Sequence, residues 1–267
     1  MFMKKDSLVV TKSNNIATIY INNLEKKNAM TLNMWKKIPV LLLDLENDQD
    51  INVVIIRGID ASAFSSGADI EEFAIERTNA VNALNYDTHV TNAGDAIENF
   101  SKPVIAMIEG PCIGGGGELA LACDLRFSSV TGVFGITPAK IGLVYGVPQT
   151  KRLVHTVGPS RAKDILFSGR FFDAKEAYQI GFVDRVYKET EIVEETYNYA
   201  KLLVNRSQET IRGAKKITNS ILDGMDESKY ENEQIILNSY SAPDIQEGIA
   251  AFIEKRTPNF NRSKVGQ

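Results

Sequence analysis

The sequence predicts an α/β fold with a strand-rich core over residues 1–200 and a helical C-terminal region over 201–267. Three observations predict it. Two uninterrupted apolar runs, Val53-Val54-Ile55-Ile56 and Val104-Ile105-Ala106-Met107-Ile108, are stopped by Gly58 and Gly110. Such runs are the mark of strands covered on both faces. Residues 31–47 carry one-sided helical periodicity, and from Gln149 onward helix signals continue while strand signals nearly vanish.

Taken in order, Val9-Val10 and residues 16–21 read as strands flanking the Ser13-Asn14-Asn15 turn, hence a hairpin. Thr31 has the side chain to cap a helix running to Asn47, whose inward face is Leu32, Trp35, Ile38, Leu42 and Leu45. The strands at 53–56 and 103–108 come next, and a third, 124–128, follows closely. Pro159 opens a helical turn before residues 161–167, and Gly169 ends it. Asp173 and Glu176 have the spacing of a capping box opening 174–180, closed by Gly181. Four more helical patterns fill residues 189–255. No Gly-, Ser- or Pro-rich linker precedes this tail, so it is expected to pack on the core or on a neighbouring subunit.

Composition excludes several classes. With 43% hydrophobic and 24% charged residues the chain is neither disordered nor membrane-spanning in type. The net charge of −4 is scattered, without the basic stripe of a nucleic-acid binder. Cys112 and Cys123 stand eleven positions apart with no Cys or His ligand pattern nearby, so neither a structural metal nor a secreted disulfide framework is expected. Residues 1–6 lack the apolar stretch of a signal peptide, and a cytoplasmic location is the expectation. His89 and His155 fall on helical patterns without a partner in the sequence and read as structural.

The chemistry concentrates in a glycine turn. Residues 114–117 are four consecutive glycines opening a helix that begins Glu118-Leu119-Ala120. That many glycines cost conformational entropy, so a close approach to the main chain is implied. The free N–H groups of the helix's first turn favour an anion. Gly115, Gly117 and Ala120 also fit a G-x-G-x-x-A dinucleotide pattern, but the acid expected about twenty residues on is missing. An oxyanion hole accounts for the turn better, since preorganised N–H donors stabilise charge developing on a carbonyl oxygen. An internal echo supports it. The strand at 53–58 leads to Phe64-Ser65-Ser66-Gly67-Ala68-Asp69, as the strand at 104–110 leads to Ile113, the glycines and Glu118. Two similar turns, one after each strand, have the means to aim two N–H groups at one point.

These residues resemble the crotonase (enoyl-CoA hydratase/isomerase) superfamily. The similarity is carried by residues 64–70, by Lys102-Pro103-Val104-Ile105-Ala106-Met107-Ile108-Glu109-Gly110, by the glycine turn, by Lys27-Asn28-Ala29-Met30, and by residues 252–260. It implies a spiral of repeated ββα units, an acyl-CoA thioester as substrate, and no further cofactor. It also implies that the amides of Ala68 and Gly115 form the oxyanion hole. Lys27, Asn28, Ala29, Ala68, Asp69, Ile70 and Glu71 would line the CoA site, with Phe252 and Lys255 reaching the CoA of a neighbouring subunit. Assembly as a homotrimer, or as a hexamer of paired trimers, is the further implication. Taken without the family, Phe252 reads as a core residue, Lys255 as a solvated charge and Asp69 as a helix-start acid.

Two departures bear on the reaction. Hydratases of this family use two glutamates; Glu118 matches the first, but Ala139 occupies the position of the second. A methyl group transfers no proton, so ordinary hydration is disfavoured. Tyr145 stands where hydratases carry proline. The stretch from Thr137-Pro138 through Gly142 and Tyr145 resembles methylmalonyl-CoA decarboxylases, although Ala68 departs from their histidine. Two uses of a thioester enolate are therefore expected ahead of hydration: decarboxylation of a malonyl-type CoA, with Tyr145 orienting the carboxylate, or a proton shift by Glu118. Two readings compete with Glu118 and Tyr145 as catalytic groups. One is an acid stabilising a helix's first turn, the other a buried ring with its hydroxyl satisfied. A non-catalytic CoA-binding protein and a serine hydrolase remain the rival classes, the latter without a G-x-S-x-G elbow.

Overall fold

The computed structural model describes residues 7–76, 78–224 and 229–260, so the expectation for residues 1–6 lies outside the described residues. Strands β1 (Ser7–Ser13) and β2 (Ile16–Asn22) form the expected antiparallel hairpin, turned through left-handed Asn14 and Asn15. Helix α1 (Leu32–Asn47) begins where Thr31 accepts a hydrogen bond from Met34 N–H, and its five predicted inward residues are buried. Strand β3 (Val53–Gly58) then pairs parallel to β2.

After β3 come helices α2 (Ile70–Glu76) and α3 (Ala80–Glu98), then strands β4 (Val104–Ile108) and β5 (Pro111–Ile113), then helix α4 (Gly115–Ala122). Strands β6 (Leu125–Ser129) and β7 (Val133–Gly135) complete another turn of the same strand–strand–helix spiral, leading through a 3-10 turn, Pro138–Ile141, into α5 (Val147–Val157). The chain continues through α6 (Pro159–Ser168), β8 (Phe172–Asp173), α7 (Ala174–Gln179) and β9 (Arg185–Tyr187). Four helices follow: α8 (Ile192–Val204), α9 (Gln208–Leu222), α10 (Lys229–Ser241) and α11 (Pro243–Ile253).

A six-stranded sheet in the order β1-β2-β3-β4-β6-β9 is parallel except for the first pair, and β5-β7-β8 make a second, smaller sheet. The apolar runs are covered on both faces. Val54, Ile56, Val104, Ala106 and Ile108 enter the main core with the first helices, while Val53, Ile55, Ile105 and Met107 meet Ile192, Ala200 and Val204 of α8. Alternation of the strand side chains between two apolar layers explains why the runs have no polar residues.

The short strands β5, β7, β8 and β9 are absent from the sequence reading, because two or three residues establish no period. The capping box at Asp173 is half formed. Its carboxylate accepts from Glu176 N–H at 2.8 Å, but Glu176 turns outward to Arg170 instead of back to the cap. The C-terminal region is tied to the core through α9. Lys215 reaches the carbonyls of Ile97 and Lys102 and the carboxylate of Asp124, and Asn219 donates to Glu98 O. Among the described residues no helix is long and apolar enough to cross a membrane.

Lys102, in the loop before β4, is buried at the end of α1. Its ammonium donates to the carbonyls of Leu45 (2.5 Å), Glu46 (3.1 Å) and Asp48 (2.8 Å). A cation at the negative end of a helix satisfies carbonyls that would otherwise be orphaned. Lys102→Met keeps the stem's packing but removes these donors; urea unfolding should show a loss of roughly 2–4 kcal/mol.

Candidate active site

Two loops from successive turns of the spiral meet at one point. The first is fixed from below by Asn28, which is fully buried in a left-handed conformation (φ 57°). Its side-chain amide donates to Ala63 O at 2.7 Å and accepts from Asn23 N–H at 3.1 Å. Above it, Met30 N–H donates to Gly67 O at 2.7 Å and Asp69 N–H to Met30 O at 3.0 Å. These bonds use the polar groups on either side of Ala68 and turn its own N–H the other way, as strand alternation requires.

The second loop is held by Ser65, whose N–H donates to Pro111 O and whose carbonyl accepts from Ile113 N–H, both at 3.0 Å. Gly114 takes a positive φ of 51°, and α4 starts at Gly115. A side chain at Gly116 would strike Ser65 O at 2.6 Å, so the helix lies directly on the first loop. A Cβ placed on Gly115 would lie 3.5 Å from Ala68 N. Among the described residues, the N–H groups of Ala68 and Gly115 have no hydrogen-bond acceptor, and both residues border one cavity. Two adjacent free amides at a helix N-terminus can receive a carbonyl oxygen that gains negative charge.

That cavity is about 160 Å³, with Trp35, Ile70, Tyr86, Val90, Ile113 and Leu143 among its apolar walls. Its ionisable groups among the described residues are Tyr86, Asp87, Glu118 and Tyr145, and no Lys, Arg or His lines it. Glu118, on the first turns of α4, is only 2% exposed. Tyr145 donates to its Oε2 at 2.8 Å, and Arg152 Nη1 donates to its Oε1 at 3.2 Å. Burial pushes the Glu118 carboxyl up to about 7, against the pull of Tyr145 and Arg152. Burial and the neighbouring Glu118 hold the Tyr145 hydroxyl well above its ordinary value, so it remains a donor.

The other expected residues take varied places. Ala68, Ile70 and Gly115 line the cavity, while Lys27, Asn28, Ala29, Asp69 and Glu71 do not. Asp69 and Glu71 are both bound by Lys26, at 2.7 and 2.8 Å, and Asp69 also accepts from Glu71 N–H as a helix-start acid does. Lys27 is left-handed (φ 50°), and its carbonyl accepts from Ser66 N–H. Ala139 is exposed on the 3-10 turn and does not line the cavity. Phe252 is 86% exposed, which overturns its reading as a core residue; Lys255 is exposed beyond the end of α11. Cys112 and Cys123 are buried free thiols. Among the described residues no group of three His, Cys, Asp or Glu side chains is placed to hold a metal ion.

Sequence reasoning missed Arg152 and its partners. This arginine of α5 is buried, and it joins Glu118 to Asp95 (2.5 Å) and Glu98 (3.0 Å) on α3. Gly94 makes the room, since a Cβ there would fall 2.5 Å from Arg152 Nη1. Only the Gly94-Asp95 step and the i, i+3 acids of α3 hint at it in the sequence.

A spiral of strand–strand–helix units thus carries paired free amides beside a buried carboxyl. The sequence profile of the enoyl-CoA hydratase/isomerase family matches residues 11–263. The chain belongs to that family, the crotonase superfamily. It is 31% identical over 260 residues to a Mycobacterium leprae protein named as a probable enoyl-CoA hydratase, covering 97% of this chain and 99% of that one. With a crotonyl-CoA hydratase of Syntrophomonas wolfei it shares 29% identity over 97% of this chain and 99% of the relative. Among solved structures, an enoyl-CoA hydratase/isomerase family protein from Hyphomonas neptunium superposes with a TM-score of 0.91 at 38% identity, covering 95% and 97% of the two chains. These names fall on the hydratase side of the resemblance, not on the methylmalonyl-CoA decarboxylase side.

A carboxyl raised by burial binds its proton more tightly in the folded state, so its contribution to stability is full below about 4.5 and is lost as pH rises through about 7. Glu118→Gln removes this titration. Denaturant unfolding at pH 5 and pH 8 should show the wild-type protein losing about 2–3 kcal/mol more than the variant over that interval.

Proposed function

We propose that the protein forms a thioester enolate of an acyl-CoA and moves a proton on it, with Glu118 as the one carboxyl that takes and returns that proton. The carrying observation is the contact of a single buried carboxyl and a tyrosine hydroxyl beside two free amides in a cavity whose walls are mainly apolar. In the step, Glu118 as carboxylate removes a proton from the carbon next to the thioester. The electron pair moves onto the carbonyl oxygen, held by the amides of Ala68 and Gly115, and the carboxyl gives the proton back at the same or a conjugated carbon. A base whose proton affinity lies near neutrality suits both directions of this transfer. Tyr145 holds Oε2 in place and stays protonated throughout.

Two finer readings compete. Decarboxylation of a malonyl-type CoA has less support than the proton shift. A substrate carboxylate would enter a cavity bordered by Glu118 and Asp87 and, among the described residues, by no cation. Tyr145, expected to orient that carboxylate, is engaged with Glu118. Hydration is favoured by the names of the relatives, but Ala139 offers no second carboxyl to activate water. Assembly into trimers or hexamers belongs to the same proposal. The exposed apolar side chains of α11, Ile249, Phe252 and Ile253, support a helical tail that meets another copy.

The readings separate when the pure protein is given crotonyl-CoA, a 3-enoyl-CoA and methylmalonyl-CoA in D₂O. The proton shift predicts conversion of the 3-enoyl ester with deuterium entering at C4 of the 2-enoyl product, or at C2 of recovered substrate where the proton returns to the same carbon, and kcat/KM rising with pH through about 7. Crotonyl-CoA hydrated faster than the 3-enoyl ester is isomerised would establish hydration instead, and carbon dioxide release would restore decarboxylation. Gly115→Pro, which removes one amide donor and sets a Cβ 3.1 Å from Trp35 Cζ2 and 3.5 Å from Ala68 N, should lower turnover by at least roughly 10²-fold while circular dichroism and thermal unfolding show the fold retained.

A further inference from the structure

Behind Glu118, on the side away from the cavity, lies a cluster that the proton shift does not use. The Arg152 guanidinium sends Nη1 to Glu118, Nη2 to Asp95 and Nε to Glu98, so each nitrogen has a carboxylate partner. Three carboxyl groups surround one cation. Were all ionised, the cluster would carry two uncompensated negative charges. Asp95 and Glu98 keep 47% and 30% of their side chains exposed, whereas Glu118 keeps 2%. Charge is therefore cheapest on the two outer acids and dearest on Glu118.

The outer acids also compete with Glu118 for the guanidinium. The contact to Asp95 is the shorter, at 2.5 Å against 3.2 Å for Glu118. Gly94 leaves the space that lets Arg152 lie against α3, and a separate cavity beyond it, lined by Glu98, Arg152 and His155, opens this side of the cluster. Among the described residues, the other charged or titratable groups lining the two cavities are Tyr86, Asp87 and Tyr145 on one side and Cys123, Asp124, Arg126, Asp184 and Lys215 on the other, with Cys112 of β5 near Tyr145. Of these, Tyr145 makes a hydrogen bond to Glu118, and Lys215 is committed to Asp124.

We propose that Arg152 is a positioning residue for the proton transfer: held by Asp95 and Glu98, it fixes which oxygen of Glu118 faces the cavity and ties that carboxyl's charge to two acids outside it. The proposal deepens the reading of Glu118 as the proton carrier and rests on it for its use in catalysis. The sign of each perturbation follows from charge. Removing the cation makes the Glu118 carboxylate harder to form. Neutralising the two outer acids leaves more of the cation's field on Glu118 and makes the carboxylate easier to form.

The test is an infrared titration of the Glu118 carboxyl band, assigned by its loss in Glu118→Gln and run without substrate. Arg152→Met should move the midpoint upward by about one pH unit, a tenfold change in the proton equilibrium, and the paired Asp95→Asn and Glu98→Gln substitutions should move it downward. Arg152→Lys, which keeps the charge but not the forked geometry, should fall between wild type and Arg152→Met. In the deuterium-exchange assay the pH profile of kcat/KM should shift with the infrared midpoint. If Arg152→Met refolds poorly, the paired acid variants carry the test alone, since they leave no buried cation without a partner at Glu118. Midpoints unchanged in all these variants, with only thermal stability reduced, would mean that Arg152 merely braces α3 against α5 and would overturn the proposal. An infrared shift without acyl-CoA turnover in the wild-type protein would instead refute the proton-shift reading and leave the coupling standing.

Discussion

Everything at the candidate site depends on the pair of hydrogen bonds that Ser65 exchanges with β5. Its N–H donates to Pro111 O, and its carbonyl accepts from Ile113 N–H. Through them a loop that follows β3 is locked in register with one that follows β4, although forty-odd residues of chain separate them. Successive N–H groups of an extended segment alternate in direction, so the bond from Asp69 N–H to Met30 O turns the Ala68 N–H away from that partner, while Ser65 holds the start of the loop on β5. The register is exacting because a slip of one residue would turn the Ala68 N–H into the protein. Gly116 must then lack a side chain, since α4 rests on the carbonyl that makes the lock.

The lock builds a donor pair out of main chain, and that choice shapes the rest of the site. Backbone amides carry no net charge and titrate nowhere near neutrality, so the hole itself is indifferent to pH. Whatever pH dependence the chemistry has must come from the carboxyl beside it. Glu118 lies on the same helix that supplies the Gly115 amide, with its proton affinity raised by burial and moderated by Tyr145 and Arg152. Geometry and acidity are thus set by different parts of the molecule: sheet register sets the first, and side chains from α3, α5 and the Tyr145 loop set the second.

How much of this is legible in the sequence follows the same division. The hairpin, α1 with its Thr31 cap, the doubly covered strands, the glycine-opened α4 and the four terminal helices all show in local pattern, because each is fixed by residues close in the chain. The two loops, with Glu118 on the helix that follows the second, were legible for a related reason: a run of four glycines needs a cause, and the echo at 64–69 points to a second loop, whereas Ala68 and Gly115 in particular came from the family resemblance. Strands β5 and β7 to β9 were not legible, being too short to show a period. Arg152 was not legible either. An arginine in a helix looks the same whether its head is solvated or buried. Only the fold brings Asp95, Glu98 and Glu118 around it, from separations of 57, 54 and 34 residues. Tyr145 showed as a departure at its position, but its partner is a contact that spacing alone does not give.

The exchange of a second carboxyl for Ala139 leaves the hole untouched, and this follows from where the parts sit. Ala139 belongs to a 3-10 turn that starts from β7, while the donor amides come from the loops after β3 and β4. No hydrogen bond of the Ser65 lock passes through residues 137–141. A substitution there alters which proton transfers are available without moving the oxyanion site. Tyr145 enters from the next few residues and donates to Glu118 Oε2. The same stretch of chain that loses one acid therefore supplies the group that restrains the other. On the proposed reading, the reaction type of this chain is decided on the β7–α5 connection and anion binding on the two loops before it, so the first can vary while the second is held.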